Sequence, residues 1–446
     1  MAASELEWQA INGKAVTLVF DEPELTSDAG LLAVGAFEKR TMGLIERLAG
    51  CVRDHRRDPK HTMADLIGQR VHQIISGHPD ANDSDRLRRD AALQTAVGRE
   101  EVLASQPTMS RLDNGLSDKD LIRMAYALGD DFLDSFEKPP AMIVIDMDPT
   151  AHLVYGQQQL GLFNTHVGDT CLMPFHVYDG LTGRLITAVI REGKTPTAAE
   201  ILRLLRRIVK RIRRRFPNTV LVFRADSHHT KPEVMKWLRA QRVQWISGLS
   251  PNKRLNEEFA DVCERAVRAY QEREKEGTPT AVRLFASGYY KAGSWDRAQR
   301  VVCRVIAGPM GMDVRYVVTS FENAGAQFLY DDVYCDRGKA ELFIKDHKLG
   351  LGSDRSPCQS AKANQLRLLL HSAAYAILHR FRECVLKGSK LATACFDQIR
   401  IKLLKVAGRV HRMKTRIRFH LPESFAFKDL FACVAAICAK AQNGDP

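Results

Sequence analysis

Three acidic side chains lie where their carboxylates can meet. Asp148 ends the apolar, β-branched run AMIVIDMD, Asp226 ends a second run, TVLVFRAD, and Glu341 lies in the helix-like segment YCDRGKAELFIKDHK. Runs of this kind predict strands of a sheet. Converging carboxylate oxygens suit Mg²⁺ or Mn²⁺, and two such ions can hold both the attacking and the leaving oxygen of an in-line phosphoryl displacement. We therefore expect a phosphoryl-transfer site with two Mg²⁺ (or Mn²⁺) ions.

The first run contains a second acid. Asp146 and Asp148 lie two residues apart and so share one face of a strand, which makes both candidate metal ligands. The letters DMDPT also match the strand and DxDxT motif of aspartate-nucleophile phosphatases, in which Asp146 would be the nucleophile. Such phosphatases usually open with this motif, whereas here a basic segment precedes it. We keep that class as the alternative.

A basic stripe accompanies the third acid. Tyr334, Arg337, Glu341, Lys345 and Lys348 recur at spacings of three or four residues, which places them on one face of a helix. Such a face suits contacts to a polyanion. Taken alone, the same stripe is more typical of a solvated amphipathic helix.

The elements around these acids have the order of a ribonuclease-H-like core. From Ala141 onward the sequence predicts three strands, a helix, a strand, a helix and a strand. In such a core the first strand is central, the strand with the second aspartate lies beside it, and a late helix crosses their carboxyl ends. We predict an α/β fold with a mixed sheet and flanking helices.

Composition changes along the chain indicate several domains. Adjacent prolines, Pro139 and Pro140, mark a boundary before the core. The predicted domains are a helical, basic N-terminal DNA-binding domain (1–138), the catalytic core (141–250 and 322–385), an insertion domain with β-strands (251–321) and a C-terminal helical segment assigned to dimerisation (386–446).

The overall charge favours a polyanionic partner. The 446 residues carry a formal net charge of +13, with 27% charged residues, so the basic excess lies on an ordinary soluble surface. No stretch approaches the roughly 20 apolar residues that a membrane span needs, and no signal peptide is apparent. We expect a bacterial, cytoplasmic, nucleoid-associated protein without a membrane partner.

Several segments resemble one family. YCDRGKAELFIKDHK is similar to the tyrosine, arginine, glutamate and lysine signature of insertion-sequence transposases of the DDE type, and RADS to their second-aspartate strand. Further segments resemble the insertion sequence 1380 group, and the matches run from about Leu25 to Arg382: LTSDAGLL, QRVHQIISGHPDANDSDRLRRD, LASQPTMSRLDN and ANQLRLLLHSAAYAILHRFR. The resemblance implies a ribonuclease-H-like core, an insertion domain before the glutamate, divalent metal and binding to terminal inverted repeats.

Carried over by position, the second catalytic acid is Asp226 and the third is Glu341. Related proteins place a small residue and then threonine after the first aspartate, which favours Asp148. Pro149 departs from that pattern and leaves Asp146 open. The signature residues around the third acid are Tyr334, Arg337 and Lys348.

The resulting expectation is a DNA transposase, a metal-dependent endonuclease and strand-transfer enzyme of a transposable element. Its partners would be double-stranded DNA, as terminal inverted repeats and as target, and a second copy of the chain, forming a homodimer on DNA. We expect DNA contacts from the stripe residues, from Arg111 in the N-terminal domain and from Trp295 in the insertion domain, where an aromatic ring can stack on a flipped base. The non-enzymatic alternative is a catalytically inactive DNA-binding remnant.

Overall fold

The structure is a computed structural model that describes residues 6–7 and 10–443. Within these residues no helix is long and apolar enough to cross a membrane. The strands are, in chain order, β1 (Leu6–Glu7), β2 (Thr17–Leu18), β3 (Leu25–Thr26), β4 (Met142–Pro149), β5 (His152–Leu153), β6 (Leu162–Asn164), β7 (Asp169–Leu172), β8 (Phe175–Asp179), β9 (Leu185–Val189), β10 (Val220–Ala225), β11 (Gln244–Leu249), β12 (Val282–Tyr290), β13 (Gln299–Gly308), β14 (Gly311–Thr319), β15 (Gly408–Met413) and β16 (Arg416–His420).

The α-helices are, in chain order, α1 (Leu31–Phe37), α2 (Leu44–Ala49), α3 (Met63–Ile75), α4 (Ser84–Leu87), α5 (Ala91–Val97), α6 (Gln106–Gly115), α7 (Asp118–Asp134), α8 (Ala198–Arg215), α9 (Pro232–Ala240), α10 (Lys253–Glu258), α11 (Ala260–Lys275), α12 (Ala326–Phe328), α13 (Gly338–Lys345), α14 (Ala361–Cys384), α15 (Phe396–Ile399) and α16 (Lys428–Asn443). Short 3₁₀ segments are Ala81–Asp83, Ser227–His229 and Cys335–Arg337, and π-helical segments are Glu38–Met42, Leu329–Tyr334, Asp346–Gly350 and Arg400–Leu404.

A mixed sheet of eight strands, in the order β12-β13-β14-β11-β10-β4-β8-β9, organises the larger part of the chain. The strands β4, β10 and β11 are parallel neighbours, whereas β8 pairs antiparallel with β4 and β9 antiparallel with β8. Among β11, β10, β4, β8 and β9, the first core strand, β4, is therefore central, and β10, which precedes Asp226, lies beside it. This confirms the α/β, ribonuclease-H-like prediction.

Helix α8 shows why these sequences pack as they do. Thr197 caps its start in a capping box with Glu200, which satisfies free backbone N–H groups at the first turn. Its apolar stripe, with Ile201 and Leu205 fully buried, joins one hydrophobic core with Ile143 of β4 and Phe223 of β10. Burial of that stripe presses the helix onto the sheet, and its arginine-rich face stays outside.

The segment predicted as an insertion domain extends the core sheet. Strand β14 pairs with β11 through Gly248 and Val317, and β13 and β12 continue outward from it as an antiparallel meander. Trp295 of this segment is only 6% exposed and packs edge-on against Tyr290 within the same core as the central strands. The inserted strands and the core strands thus share one sheet and one hydrophobic core.

The segment that contains the third acid is a helical run over 326–350 with changing hydrogen-bond pattern. Its successive parts are α12, the π-helical Leu329–Tyr334, the 3₁₀ Cys335–Arg337, α13 and the π-helical Asp346–Gly350. Residues per turn differ between these helix types, so the predicted single stripe does not continue straight along one face.

The described chain forms two compact units. One consists of residues 6–7, 10–43, 56–110 and 381–443, and the other of 44–55 and 111–380, which contains the eight-stranded sheet. The C-terminal segment, predicted as helical except for one strand in MKTRIRFHL, contains the hairpin β15–β16, which pairs with β3 of the same unit. Alternating apolar and basic residues favour strands over a helix here.

Candidate active site

Two acids lie at the carboxyl ends of neighbouring parallel strands. Asp148 is near the end of β4 and Asp226 directly follows β10, and these strands pair in parallel register from Val220 and Met142 to Arg224 and Asp146. Each side chain is about a fifth exposed, at 22% for Asp148 and 23% for Asp226. The sheet thus brings both carboxylates to one edge, within reach of solvent.

Asp148 is held between a cation and other anions. Its Oδ1 lies 3.4 Å from Nη1 of Arg337. Burial raises the pKa of Asp148 to about 7; the charge of Arg337 opposes that shift, and the charges of Asp226 and Glu341 reinforce it. Asp148 is therefore repelled by both of the other predicted acids, and a bound cation would relieve that repulsion.

Asp226 is oriented by the turn that follows it. Its carboxylate contacts Nδ1 of His229 at 2.7 Å and Nδ1 of His228 at 3.0 Å, and accepts a backbone hydrogen bond from His228 N at 2.9 Å. Burial alone would raise the pKa of Asp226, but the two histidine contacts outweigh it and hold that pKa well below its usual range. Asp226 is consequently fixed in its ionised form.

Asp146 has a different environment from Asp148. Both of its oxygens accept hydrogen bonds from Arg224, from Nε and Nη2, each at 2.6 Å, and the two side chains are 1% and 3% exposed. A Cβ atom at position 180 would collide with the side chains of Asp146 and Arg224, so the backbone can lie this close to the pair only because residue 180 is glycine. The pKa of Arg224 is raised because its bonds to Asp146 outweigh burial. Asp146 is thus committed to a buried ion pair.

The helical run over 326–350 is attached to this edge of the sheet. Nη1 of Arg224 donates to the carbonyl oxygen of Val333 at 2.8 Å and lies 3.4 Å from Asp336. Farther along, Nζ of Lys348 donates to the carbonyl oxygen of Ala151 at 2.7 Å, just after β4. These contacts hold the run, with Glu341 between them, across the ends of the strands.

The remaining residues of the predicted stripe divide into two groups. Tyr334 is half-buried, and burial raises its pKa against the opposing charge of Arg337. A Cβ atom at Gly248 would lie 2.8 Å from the Tyr334 hydroxyl, so this ring approaches β11 closely. Glu341 and Lys345 are exposed on α13. Tyr334 and Arg337 therefore face the acids, whereas Lys345 faces solvent.

The oxygen donors fit a divalent cation by their chemistry. Asp148, Asp226 and Glu341 supply hard carboxylate oxygens, and the repulsion of Asp148 by the other two favours a positive ion. Among residues 6–7 and 10–443, no group of three or more His, Cys, Asp or Glu side chains stands at positions that could hold a metal ion. Arg337 provides the positive charge nearest to Asp148 in this structure.

Two further residues predicted to contact DNA differ in exposure. Arg111 is exposed on α6. Trp295 is buried in the core of the sheet, where its indole packs on Tyr290. Stacking on a base requires an accessible ring, so the predicted contact of Trp295 with a flipped base does not fit its position in the core.

Sequence reasoning missed two features of the site. The sequence alone assigns no role to the two histidines after Asp226, although both contact its carboxylate. Arg224 was not singled out, yet a charged residue inside the apolar run VLVFRA signals a buried partner on the adjacent strand. Such a signal identifies the pair only when the neighbouring strand is known.

The sequence matches none of the curated proteins with which it was compared. A solved structure similar to the chain is a piggyBac transposase synaptic complex with hairpin DNA, at 14% sequence identity and a TM-score of 0.45, covering 85% of this chain and 80% of that one. A family model described as Transposase DDE domain group 1 matches residues 8–443, and the chain therefore belongs to this DDE transposase family, whose members catalyse DNA phosphoryl transfer in transposition.

Proposed function

We propose that this chain binds the terminal inverted repeats of its own insertion element, cuts the DNA at their ends and joins those ends to target DNA. We further propose that it belongs to the insertion sequence 1380 group, supported by the segments between Leu25 and Arg382. Two observations support this proposal: Asp148 and Asp226 lie at the carboxyl ends of two neighbouring parallel strands, and the charges of Asp226 and Glu341 both raise the pKa of Asp148.

In this proposal the three acids hold divalent metal, and Asp146 does not, because both of its oxygens are bonded to Arg224. Bound Mg²⁺ or Mn²⁺ ions would activate a water or a DNA 3′-hydroxyl and stabilise the leaving oxygen. Asp226 offers an ionised carboxylate that the adjacent histidines orient. Asp148 offers a carboxylate whose pKa is raised by burial and by the charges of Asp226 and Glu341.

The residues around the acids receive DNA. Arg337 neutralises Asp148 in the protein alone, and its guanidinium is free to bind a phosphate once a cation takes over that role. Lys345 projects from α13 into solvent and adds a phosphate contact that depends on salt. Lys348 acts differently: it positions the chain just after Asp148 through Ala151.

The phosphatase alternative has little support from this geometry. Its nucleophile would be Asp146, which is 1% exposed and bonded through both oxygens. A nucleophile must reach the phosphorus of its substrate. The inactive-remnant alternative remains as an outcome of the experiment below.

The experiment is cleavage of a labelled duplex that spans the DNA flanking the coding sequence, with Mg²⁺ or Mn²⁺. We expect metal-dependent nicking at the repeat end by the parent, and loss of nicking in Asp148→Asn, Asp226→Asn and Glu341→Gln. Asp332→Asn is the matched control, because it is an exposed acid on the same helical run as Glu341. It should cut like the parent.

Each other result has a definite meaning. A folded parent that binds this duplex but never nicks it would make the protein an inactive remnant. Nicking that survives all three substitutions would remove these acids from catalysis. Release of phosphate from small monoesters, lost in Asp146→Asn, would favour the phosphatase instead.

A further inference from the structure

The hairpin formed by β15 and β16 has two chemically different faces. Val410 opposes Phe419 and Arg412 opposes Ile417, and these residues are buried or half-buried. Side chains alternate between the two faces of a strand, so the residues between them point the other way. That outward face carries Arg409, His411, Met413, Arg416, Arg418 and His420, all of which are exposed.

The outward face concentrates positive charge without compensation. Arg409 lies directly opposite His420, and His411 opposite Arg418. The segment 408–420 contains no Asp or Glu, and across the described chain Arg409, Arg416 and Arg418 form no ion pair.

Arg412, on the inward face of the hairpin, differs from these arginines because it has a counter-charge and hydrogen-bond partners. Arg412 donates to both oxygens of Glu24, at 3.1 and 3.0 Å, and to Oε1 of Gln94 at 2.6 Å. On its other side, β15 pairs with β3 through its first two residues, Gly408 and Arg409. The hairpin is therefore anchored through one face, whereas the arginines of the other face lack counter-charges.

The dimensions of the hairpin fit duplex DNA. Five residues of strand extend about 17 Å, and paired strands lie about 4.8 Å apart. The major groove of B-DNA, about 12 Å wide, admits a two-stranded ribbon of this size. We propose that the outward face of the β15–β16 hairpin is a DNA-binding ribbon that contacts phosphates along a groove. This inference rests on the proposed function, since it takes DNA as the partner.

The test compares two variants with equal loss of charge. In the ribbon variant Arg409, Arg416 and Arg418 are changed to Gln. In the control variant three exposed lysines of the same unit are changed to Gln: Lys387, Lys390 and Lys402. A third variant, with Lys at the ribbon positions, retains the charge.

The readout is fluorescence anisotropy of a labelled duplex from the flanking DNA, and of a shuffled duplex, at several salt concentrations. Each lost phosphate contact reduces the slope of log affinity against log salt by about 0.9, which is about an 8-fold loss of affinity at ~0.1 M salt. We expect the ribbon variant to lose between one and three such contacts on both duplexes. The control and the Lys variant should stay near the parent.

Equal losses of DNA affinity in the ribbon and control variants would show that the effect depends on net charge alone and would refute the DNA-binding ribbon. So would a ribbon variant that binds like the parent while its thermal unfolding is unchanged. Nicking by the parent is measured in parallel. A parent that nicks while the ribbon variant binds normally refutes the ribbon alone, whereas a parent that neither binds nor nicks refutes the proposed function.

Discussion

The buried pair of Arg224 and Asp146 gives a stability prediction of definite size. Arg224→Met removes the counter-charge of a carboxylate that is 1% exposed and also removes the donor to the carbonyl of Val333. Breaking a buried pair by removing one partner costs about 3–5 kcal/mol, because the other charge stays buried and uncompensated. We expect a loss near the upper end, since the carbonyl oxygen of Val333 loses its donor as well.

The assay is urea unfolding followed by tryptophan fluorescence, because Trp237, Trp245 and Trp295 all belong to the unit that contains the pair. The double variant Asp146→Leu/Arg224→Met should recover most of the loss, since replacing both partners by apolar groups is often neutral. The control is Arg239→Met, which breaks the surface pair with Asp296, where the side chains are 27% and 46% exposed. That change should cost about 1 kcal/mol or less.

Two results would refute this reasoning. One is an Arg224→Met variant that unfolds at the urea concentration of the parent. The other is a double variant no more stable than the single one, which would mean that volume and shape, rather than an uncompensated charge, cause the loss.

Two further predictions concern assembly and pH. Because two element ends must be joined, we expect two copies of the chain in the complex with paired ends, and a mass measurement showing one copy would exclude the dimer. Burial lowers the pKa of His72 to about 4. Between about pH 6.5 and pH 4 the histidine is therefore protonated in the unfolded chain but not in the folded chain, and the free energy of unfolding should fall as the pH decreases through this range. His72→Gln should lose stability less steeply across that window in urea unfolding, by up to about 1.4 kcal/mol per pH unit; parallel curves for parent and variant would contradict this.

Much of the core was predictable because its signals are local. Secondary structure can be predicted from a few residues in apolar runs such as that before Asp148. The same holds for the helix from Ala198 to Arg215, which has a capping residue and an apolar stripe. The order of these elements then permits few topologies. The positions of Asp148 and Asp226 at one edge follow from that order alone.

Other features depend on contacts between distant segments. Whether Asp146 or Asp148 faces the site is determined by Arg224 on another strand, and spacing within IDMD carries no information about it. The π-helical turns around Glu341 likewise rotate a stripe that a regular helix would keep straight. Trp295 was assigned to an interface because aromatic rings serve both as stacking platforms and as core residues.

The pairing of β14 with β11 limits how the inserted segment can be exchanged between relatives. Removal of 251–321 would leave β11 at the margin of the sheet, with unpaired backbone groups beside Ile246, which is now fully buried. Bare margins of this kind recruit strands from other molecules and promote aggregation. The segment therefore cannot be removed or shortened freely, because β11 would need another strand to pair with. Natural variation in the length of the segment should be confined to turns such as that at Met310, which is fully exposed.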